Sequence, residues 1–154
     1  MNMTNILFIC HGNICRSTMA EFVMKYLVKK NHVDSQFYIY SAATSREEIG
    51  NPVHYGTKRK LAQEGIPCGD HRAVQVTKAD YDNYDYLIVM DSYNVRNLMR
   101  IIGDDPQNKV YKLLDFTKRK GQDTADPWYS GNFDETFDDV MEGCLGLLNS
   151  ILGK

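Results

Sequence analysis

Apolar positions along the chain change period several times, and each change marks an element. The run Asn5-Ile6-Leu7-Phe8-Ile9 is continuous enough for a buried strand. After a short glycine-containing loop, Met19, Phe22, Val23, Tyr26 and Leu27 recur at helical spacing. Thr18 and Glu21 have the spacing of a capping box, and Lys29 and Lys30 stand where a helix C-terminus favours cations. These signals start the first helix just after Arg16. Residues 37–42 read as a second strand, followed by a helix with Asn51 as N-cap, Pro52 at its first position and Gly65 as its stop.

The alternation then repeats. Residues 86–90 form a continuous apolar run, as expected of a strand covered on both faces, and Val95, Leu98, Met99 and Ile102 follow at helical spacing before Gly103. A short fourth strand over residues 110–114 leads into a long polar stretch, residues 115–131. Phe133, Phe137, Val140, Met141, Cys144, Leu148 and Ile151 close the chain as a helix, with Asn132 and Glu135 at its cap. Strands alternating with helices imply a three-layer α/β/α fold around a four-stranded parallel sheet, with right-handed crossovers. Residues 115–131 are the one long irregular connection, the kind of segment that carries function.

The chain has 154 residues, 43% hydrophobic and 25% charged, which suits one domain over residues 1–154. A formal net charge of −2 gives no field that draws the whole protein to nucleic acid or to an anionic membrane, so any anion site must be local. The apolar run at residues 6–9 is too short for a signal-peptide core, and no stretch approaches transmembrane length. The expected location is the cytoplasm. The four cysteines, Cys10, Cys15, Cys68 and Cys144, are accordingly read as thiols rather than as a disulfide framework.

In open parallel sheets, ligands sit beyond the carboxyl ends of the strands, where a helix N-terminus offers free N–H groups and partial positive charge. The loop Cys10-His11-Gly12-Asn13-Ile14-Cys15-Arg16-Ser17 occupies that position. Gly12 and Asn13 both tolerate left-handed backbone angles, so the loop is expected to curl with its N–H groups inward as an anion nest. Arg16 adds a planar fork suited to two phosphate oxygens. A thiol at Cys10, beside a helix start and a guanidinium, is stabilised as the thiolate, the form in which sulfur attacks phosphorus. Singly, each feature has an ordinary structural explanation; at Cys-x5-Arg-Ser spacing between a strand and a helix they form one chemical unit.

That octapeptide, continued by Met19-Ala20-Glu21, resembles the signature of the low-molecular-weight protein tyrosine phosphatases. The similarity extends in order through Ser41, Asn51-Pro52, His71, Met90-Asp91-Ser92-Tyr93-Asn94 and Asp126-Pro127-Trp128-Tyr129. The resemblance implies a flavodoxin-like fold and hydrolysis of phosphotyrosine esters through a phosphocysteine on Cys10. It implies Asp126 as the acid and then the base, since one carboxyl group can serve both steps. Nothing else in the sequence picks Asp126 from the 20 acidic residues.

The resemblance further places His11, Gly12, Asn13, Ile14, Cys15, Glu47, Trp128 and Tyr129 around the substrate. It gives Asn13, Ser17, Ser41 and His71 the task of holding the loop in shape. For the aromatic pair, anchoring the polar stretch onto the core is the competing role. In this family Cys10 and Cys15 are associated with reversible oxidation, whereas a small packing residue is the alternative for Cys15. Thr18 stands where proline is common, His11 where a small or aliphatic residue is common, and Glu47 where relatives often carry an apolar or aromatic residue. No metal or organic cofactor is required. The expected substrates are phosphotyrosine-containing proteins or small aryl phosphates, and the expected state is a monomer, with a weak dimer as the alternative.

Other readings of the same residues compete with this one. Arsenate reductases of similar fold need two further, closely spaced cysteines, and only Cys68 and Cys144 remain here. Protein-arginine phosphatases are associated with threonine at the position of Ile14, so Ile14 and Trp128-Tyr129 favour tyrosine. A non-catalytic phosphate-binding module uses the nest and Arg16 without turnover. A metal site on Cys10, His11 and Cys15 lacks a second ligand pair.

Overall fold

The computed structural model describes residues 3–154. The strands are β1 (Thr4–Cys10), β2 (Phe37–Ala43), β3 (Tyr86–Val89) and β4 (Val110–Lys112). They pair in the order β2-β1-β3-β4, every pair parallel. The helices are α1 (Arg16–Lys30), α2 (Tyr55–Gln63), α3 (Asp80–Asn83), α4 (Ser92–Ile102), α5 (Pro127–Ser130) and α6 (Phe133–Leu152). This is the three-layer α/β arrangement that the alternating pattern implies.

Side-chain alternation along β1 builds two cores. Ile6 and Phe8 join Ile88 with Met19, Val23 and Leu27 of α1 and Val140, Cys144 and Leu147 of α6. Leu7 and Ile9 face the other way, with Leu87, Val89, Tyr81, Tyr84 and, on α4, Leu98 and Ile102. Because β1 is central and both its faces are covered, its C-terminal end at Cys10 is held from all sides.

Local capping differs from expectation at two helices. Helix α1 starts at Arg16 with Cys15 at its N-cap, so Thr18 lies a turn inside the helix and its hydroxyl donates back to the Cys15 carbonyl at 2.9 Å. Glu21 is buried and bonds elsewhere, so no capping box forms. Helix α2 begins at Tyr55 rather than at Pro52, and its cap is His54, whose Nδ1 accepts from Gly56 N at 3.0 Å. The physical reason is tertiary pairing. Asn51 O accepts from Ala73 N at 2.9 Å and Pro52 bridges Arg72, which keeps this stretch extended.

The remaining signals hold. Gly65 (φ 71°) follows the end of α2, Gly103 (φ 91°) closes α4, and the Asn132 side chain accepts from Glu135 N at 3.0 Å at the start of α6. Strand β4 is shorter than expected, because Leu113–Phe116 tighten into a 3-10 turn. That turn packs onto α6 at Gly143 and Gly146, where a Cβ would fall 2.3 Å from Leu113 Cγ and 2.2 Å from Phe116 O. Helix α3 is a single turn, too short to leave a periodic signal.

Candidate active site

The loop leaving β1 turns at Asn13, whose φ of 61° lies in the left-handed region. Gly12 does not adopt positive φ, contrary to expectation. Its lack of a side chain serves space instead, since a Cβ there would meet Glu48 Cγ at 3.3 Å. Asparagine tolerates the left-handed angle because its short amide can bond locally, and here it bonds extensively. Asn13 Oδ1 accepts from His71 Nε2 at 2.7 Å and from Val74 N at 3.2 Å, while Nδ2 donates to Ser17 Oγ at 2.8 Å. Ser17 Oγ lies 3.1 Å from Cys10 Sγ, and Asn13 N donates to the same sulfur at 3.3 Å. Because Ser17 accepts from Asn13, its hydroxyl proton is left to donate to the sulfur.

Behind this chain, Ser41 Oγ donates to Glu21 Oε1 at 2.5 Å and lies 3.3 Å from His71 Nε2. Glu21 also takes Lys25 Nζ at 2.6 Å and sits 3.5 Å from His71 Nδ1. Burial pushes His71 below its ordinary pKa, with Glu21 opposing that shift. With Nε2–H donating to Asn13, the ring supports the loop in its neutral form. Asn13, Ser17, Ser41 and His71 are thus one network, all buried.

Arg16 is 3% exposed, and its guanidinium is fixed on two sides. Nη1 donates to Thr124 O at 2.9 Å, and Nη2 donates to Asp91 Oδ2 at 2.7 Å and lies 3.3 Å from Asp126 Oδ2. Burial alone disfavours its charge, but Cys10, Asp126 and Asp91 together raise its pKa above the ordinary value. Asp91 can do this because its other oxygen caps α4, accepting from Asn94 N at 2.8 Å. The sequence shows the Asp91-x-x-Asn94 spacing of that cap, but not that the carboxylate is shared with Arg16.

The polar stretch before α6 is hung by its backbone. Thr124 N donates to Met90 O at 2.8 Å, Ala125 N to Asp139 Oδ2 at 2.9 Å, and Thr136 Oγ1 to Ala125 O at 3.0 Å. Asp126 then caps α5, accepting from Trp128 N at 3.0 Å. Trp128 and Tyr129 are 67% and 87% exposed, so neither anchors this stretch to the core. Pro127, which is buried, takes that place.

These parts meet in one cleft of about 630 Å³. Cys10, His11, Gly12, Asn13, Ile14, Cys15, Arg16, Glu47, Asp126, Trp128 and Tyr129 all line it. Ser17, Ser41 and His71 lie beneath. Sequence reasoning gave no role to Glu48, Asp91, Tyr93, Asn94 and Asn97, which also line the cleft. Cys15 is a free thiol, pushed up to about 12 by burial and by the neighbouring Cys10 and Asp126, with Thr57 and Arg16 acting the other way. It packs with Ile14 and Ala73, as a small core residue does. Among the described residues no three His, Cys, Asp or Glu side chains converge as a metal site.

A thiol and a guanidinium in a loop at the end of a central parallel strand, with a carboxylate 3.3 Å from the guanidinium, are the parts of a cysteine-based phosphatase. The comparisons narrow this class. A sequence model described as low molecular weight phosphotyrosine protein phosphatase matches residues 5–154. The chain is 39% identical over 150 residues to the low molecular weight protein-tyrosine-phosphatase YfkJ of Bacillus subtilis, covering 97% of this chain and 96% of that one. It is 35% identical over 150 residues to PtpA of Staphylococcus epidermidis, covering 97% and 95%. The crystal structure of YfkJ superimposes with a TM-score of 0.94 at 38% identity, covering 99% of this chain and 97% of that one. An arginine phosphatase from Drosophila superimposes with a TM-score of 0.84 at 25% identity, covering 95% and 96%, and gives the arginine reading no better support. The chain belongs to the low molecular weight protein tyrosine phosphatase family and is a cysteine-based protein tyrosine phosphatase.

Proposed function

We propose that Cys10 is the nucleophile, Arg16 and the loop N–H groups are the phosphoryl clamp, and Asp126 is the acid and then the base. The observation that carries this reading is the convergence of Cys10, Arg16 and Asp126 on one cleft, with Asp126 Oδ2 3.3 Å from Arg16 Nη2. The Cys10 thiolate attacks phosphorus, and the aryl oxygen leaves with the proton of Asp126. The Asp126 carboxylate then takes a proton from water, which attacks phosphorus and releases phosphate and the thiolate. Arg16, oriented by Asp91 and the Thr124 carbonyl, offsets charge on the transferring group without reorganising.

The substrates in this reading are phosphotyrosine-containing proteins or small aryl phosphates, with the ring against Trp128, Tyr129 and Tyr93. The chain is taken as one domain, monomeric, working in the cytoplasm without a cofactor. Among the described residues no helix is long and apolar enough to cross a membrane. The test is hydrolysis of para-nitrophenyl phosphate from pH 4 to 8 with chelator present, comparing the protein with Cys10→Ser. Turnover lost only in the variant establishes the roles of loop and thiol. Equal activity in both, or none in either, leaves a phosphate-binding module as the better reading.

A further inference from the structure

Helix α6 meets the polar stretch with three polar side chains that the proposed reaction does not use. Thr136, Asp139 and Glu142 recur every third residue, which puts them on one face of the helix. Each bonds to Arg119 or Ala125. Thr136 Oγ1 donates to Ala125 O at 3.0 Å, and Asp139 Oδ2 accepts from Ala125 N at 2.9 Å. Arg119 Nη2 donates to Asp139 Oδ1 at 2.6 Å and to Glu142 Oε1 at 2.7 Å. Asp139 is 8% exposed, whereas its neighbour Asp138 stands in solvent. A buried carboxylate is costly unless its oxygens are paired, and here each oxygen has a donor.

The Ala125 N–H that Asp139 takes belongs to the same peptide group as the Thr124 carbonyl, which accepts from Arg16 Nη1 at 2.9 Å. The bond is trans, so its N–H and C=O point in opposite directions, with Asp139 at one end and Arg16 at the other. A negative charge at the N–H and a positive charge at the oxygen both favour the peptide dipole as it lies, so each bond strengthens the other. Rotating this peptide would break both bonds at once. Asp126 follows Ala125 directly, with Oδ2 3.3 Å from Arg16 Nη2. One peptide, pinned from α6, thus sets both the guanidinium and the carboxyl group. Arg119, permanently charged, offsets the buried charge of Asp139.

We infer that Asp139, held by Arg119, is a positioning residue that aligns Arg16 and Asp126 with each other through the Thr124–Ala125 peptide. The inference rests on the roles proposed above for Arg16 and Asp126 and adds the group that aligns them. Asp139→Asn keeps the shape of the side chain but makes one of its two polar atoms a donor. Whichever way the amide turns, a donor then faces either Arg119 or the Ala125 N–H. Small misplacements of reacting groups are costly, so this variant should lower kcat/KM for phosphotyrosine by about 10- to 100-fold.

The experiment measures kcat/KM for phosphotyrosine and for para-nitrophenyl phosphate, inhibition by inorganic phosphate, and the urea midpoint. It compares the unaltered protein with Asp139→Asn, Arg119→Gln, Arg119→Lys and Glu142→Gln. In Asp139→Asn the loss should be greater for phosphotyrosine, whose poorer leaving group depends more on Asp126. The inhibition constant of phosphate should rise several-fold, because Arg16 loses its alignment. Arg119→Gln should give the same pattern at smaller size, Arg119→Lys should recover most of it, and Glu142→Gln should match the unaltered protein. Arg119 is half-buried, so its variants carry the test if Asp139→Asn does not fold. Folded Asp139→Asn that keeps its kcat/KM, or loses it equally on both substrates with phosphate inhibition unchanged, overturns the inference and leaves the phosphatase standing. An unaltered protein that turns over neither substrate removes the parent reading and the inference with it.

Discussion

The loop proposed to carry the nucleophile, residues 10–17, and the loop proposed to carry the acid, around Asp126, reach the same cleft by opposite means. Residues 10–17 leave the central strand and enter α1 within a few positions, and Asn13, Arg16 and Ser17 are at most 3% exposed. Asn13 and Ser17 bond to each other and to the buried His71, and Arg16 is held by the Thr124 carbonyl and Asp91. Asp126, by contrast, caps a one-turn helix, and the rings after it stand in solvent. In the proposed mechanism, anion binding thus sits in the part of the molecule that cannot move without cost, while proton transfer and ring recognition sit in a part held by a few backbone bonds. Such a division predicts that changes in the first loop cost stability and changes in the second cost activity alone.

The largest effect expected from the acid loop is that of Asp126→Asn. Asparagine also caps a helix well, and Arg16 keeps Asp91, so the fold should be untouched. Loss of general acid and base should lower kcat by about 10²–10⁴-fold. The loss should be greater for phosphotyrosine than for para-nitrophenyl phosphate, whose better leaving group needs less protonation. Equal losses on both substrates would remove Asp126 from the leaving-group step.

Asn13→Ala probes the other loop. It removes the acceptor for His71 and Val74 and the donor to Ser17, and it puts a Cβ-bearing residue without a compensating amide at φ 61°. Buried groups left unpaired together with the left-handed angle should cost about 2–4 kcal/mol, read as a fall in the urea midpoint with unchanged slope. Asn13→Gly should recover the backbone share only. If Asn13→Ala is as stable as the parent, the two loops do not differ as described.

Why one loop was legible in the sequence and the other was not follows from the same contrast. Strand β1, the loop and α1 are contiguous, so spacing alone places Cys10 and Arg16 together. Asp126 reaches Arg16 only through the fold, and the Thr124 carbonyl that orients the guanidinium is 108 residues away from it. Nothing local in residues 115–131 marks one aspartate among its neighbours, and only the family resemblance singled it out. Asn51-Pro52 misled for a related reason. It is a good helix start locally, but pairing with Arg72 and Ala73 claims that backbone first. Asp91 was readable as a cap and unreadable as a partner of Arg16, because the cap uses one oxygen and tertiary structure uses the other.

The smallest effect, and the one that sharpens the contrast most, belongs to Trp128→Ala. The ring is 67% exposed and its nearest aromatic partner is His54, with centroids 6.3 Å apart in an edge-on arrangement, so little packing is lost. Thermal stability should be unchanged. An aromatic contact beyond simple burial contributes about 0.5–1.5 kcal/mol, so removal of the ring should raise KM for phosphotyrosine peptides by roughly 2- to 10-fold with kcat little altered. An alkyl phosphate, which offers no ring to Trp128, should show no such change. A drop in melting temperature in place of a change in KM would make Trp128 an anchor of the loop after all, and the acid loop would then share the rigidity assigned here to the nucleophile loop.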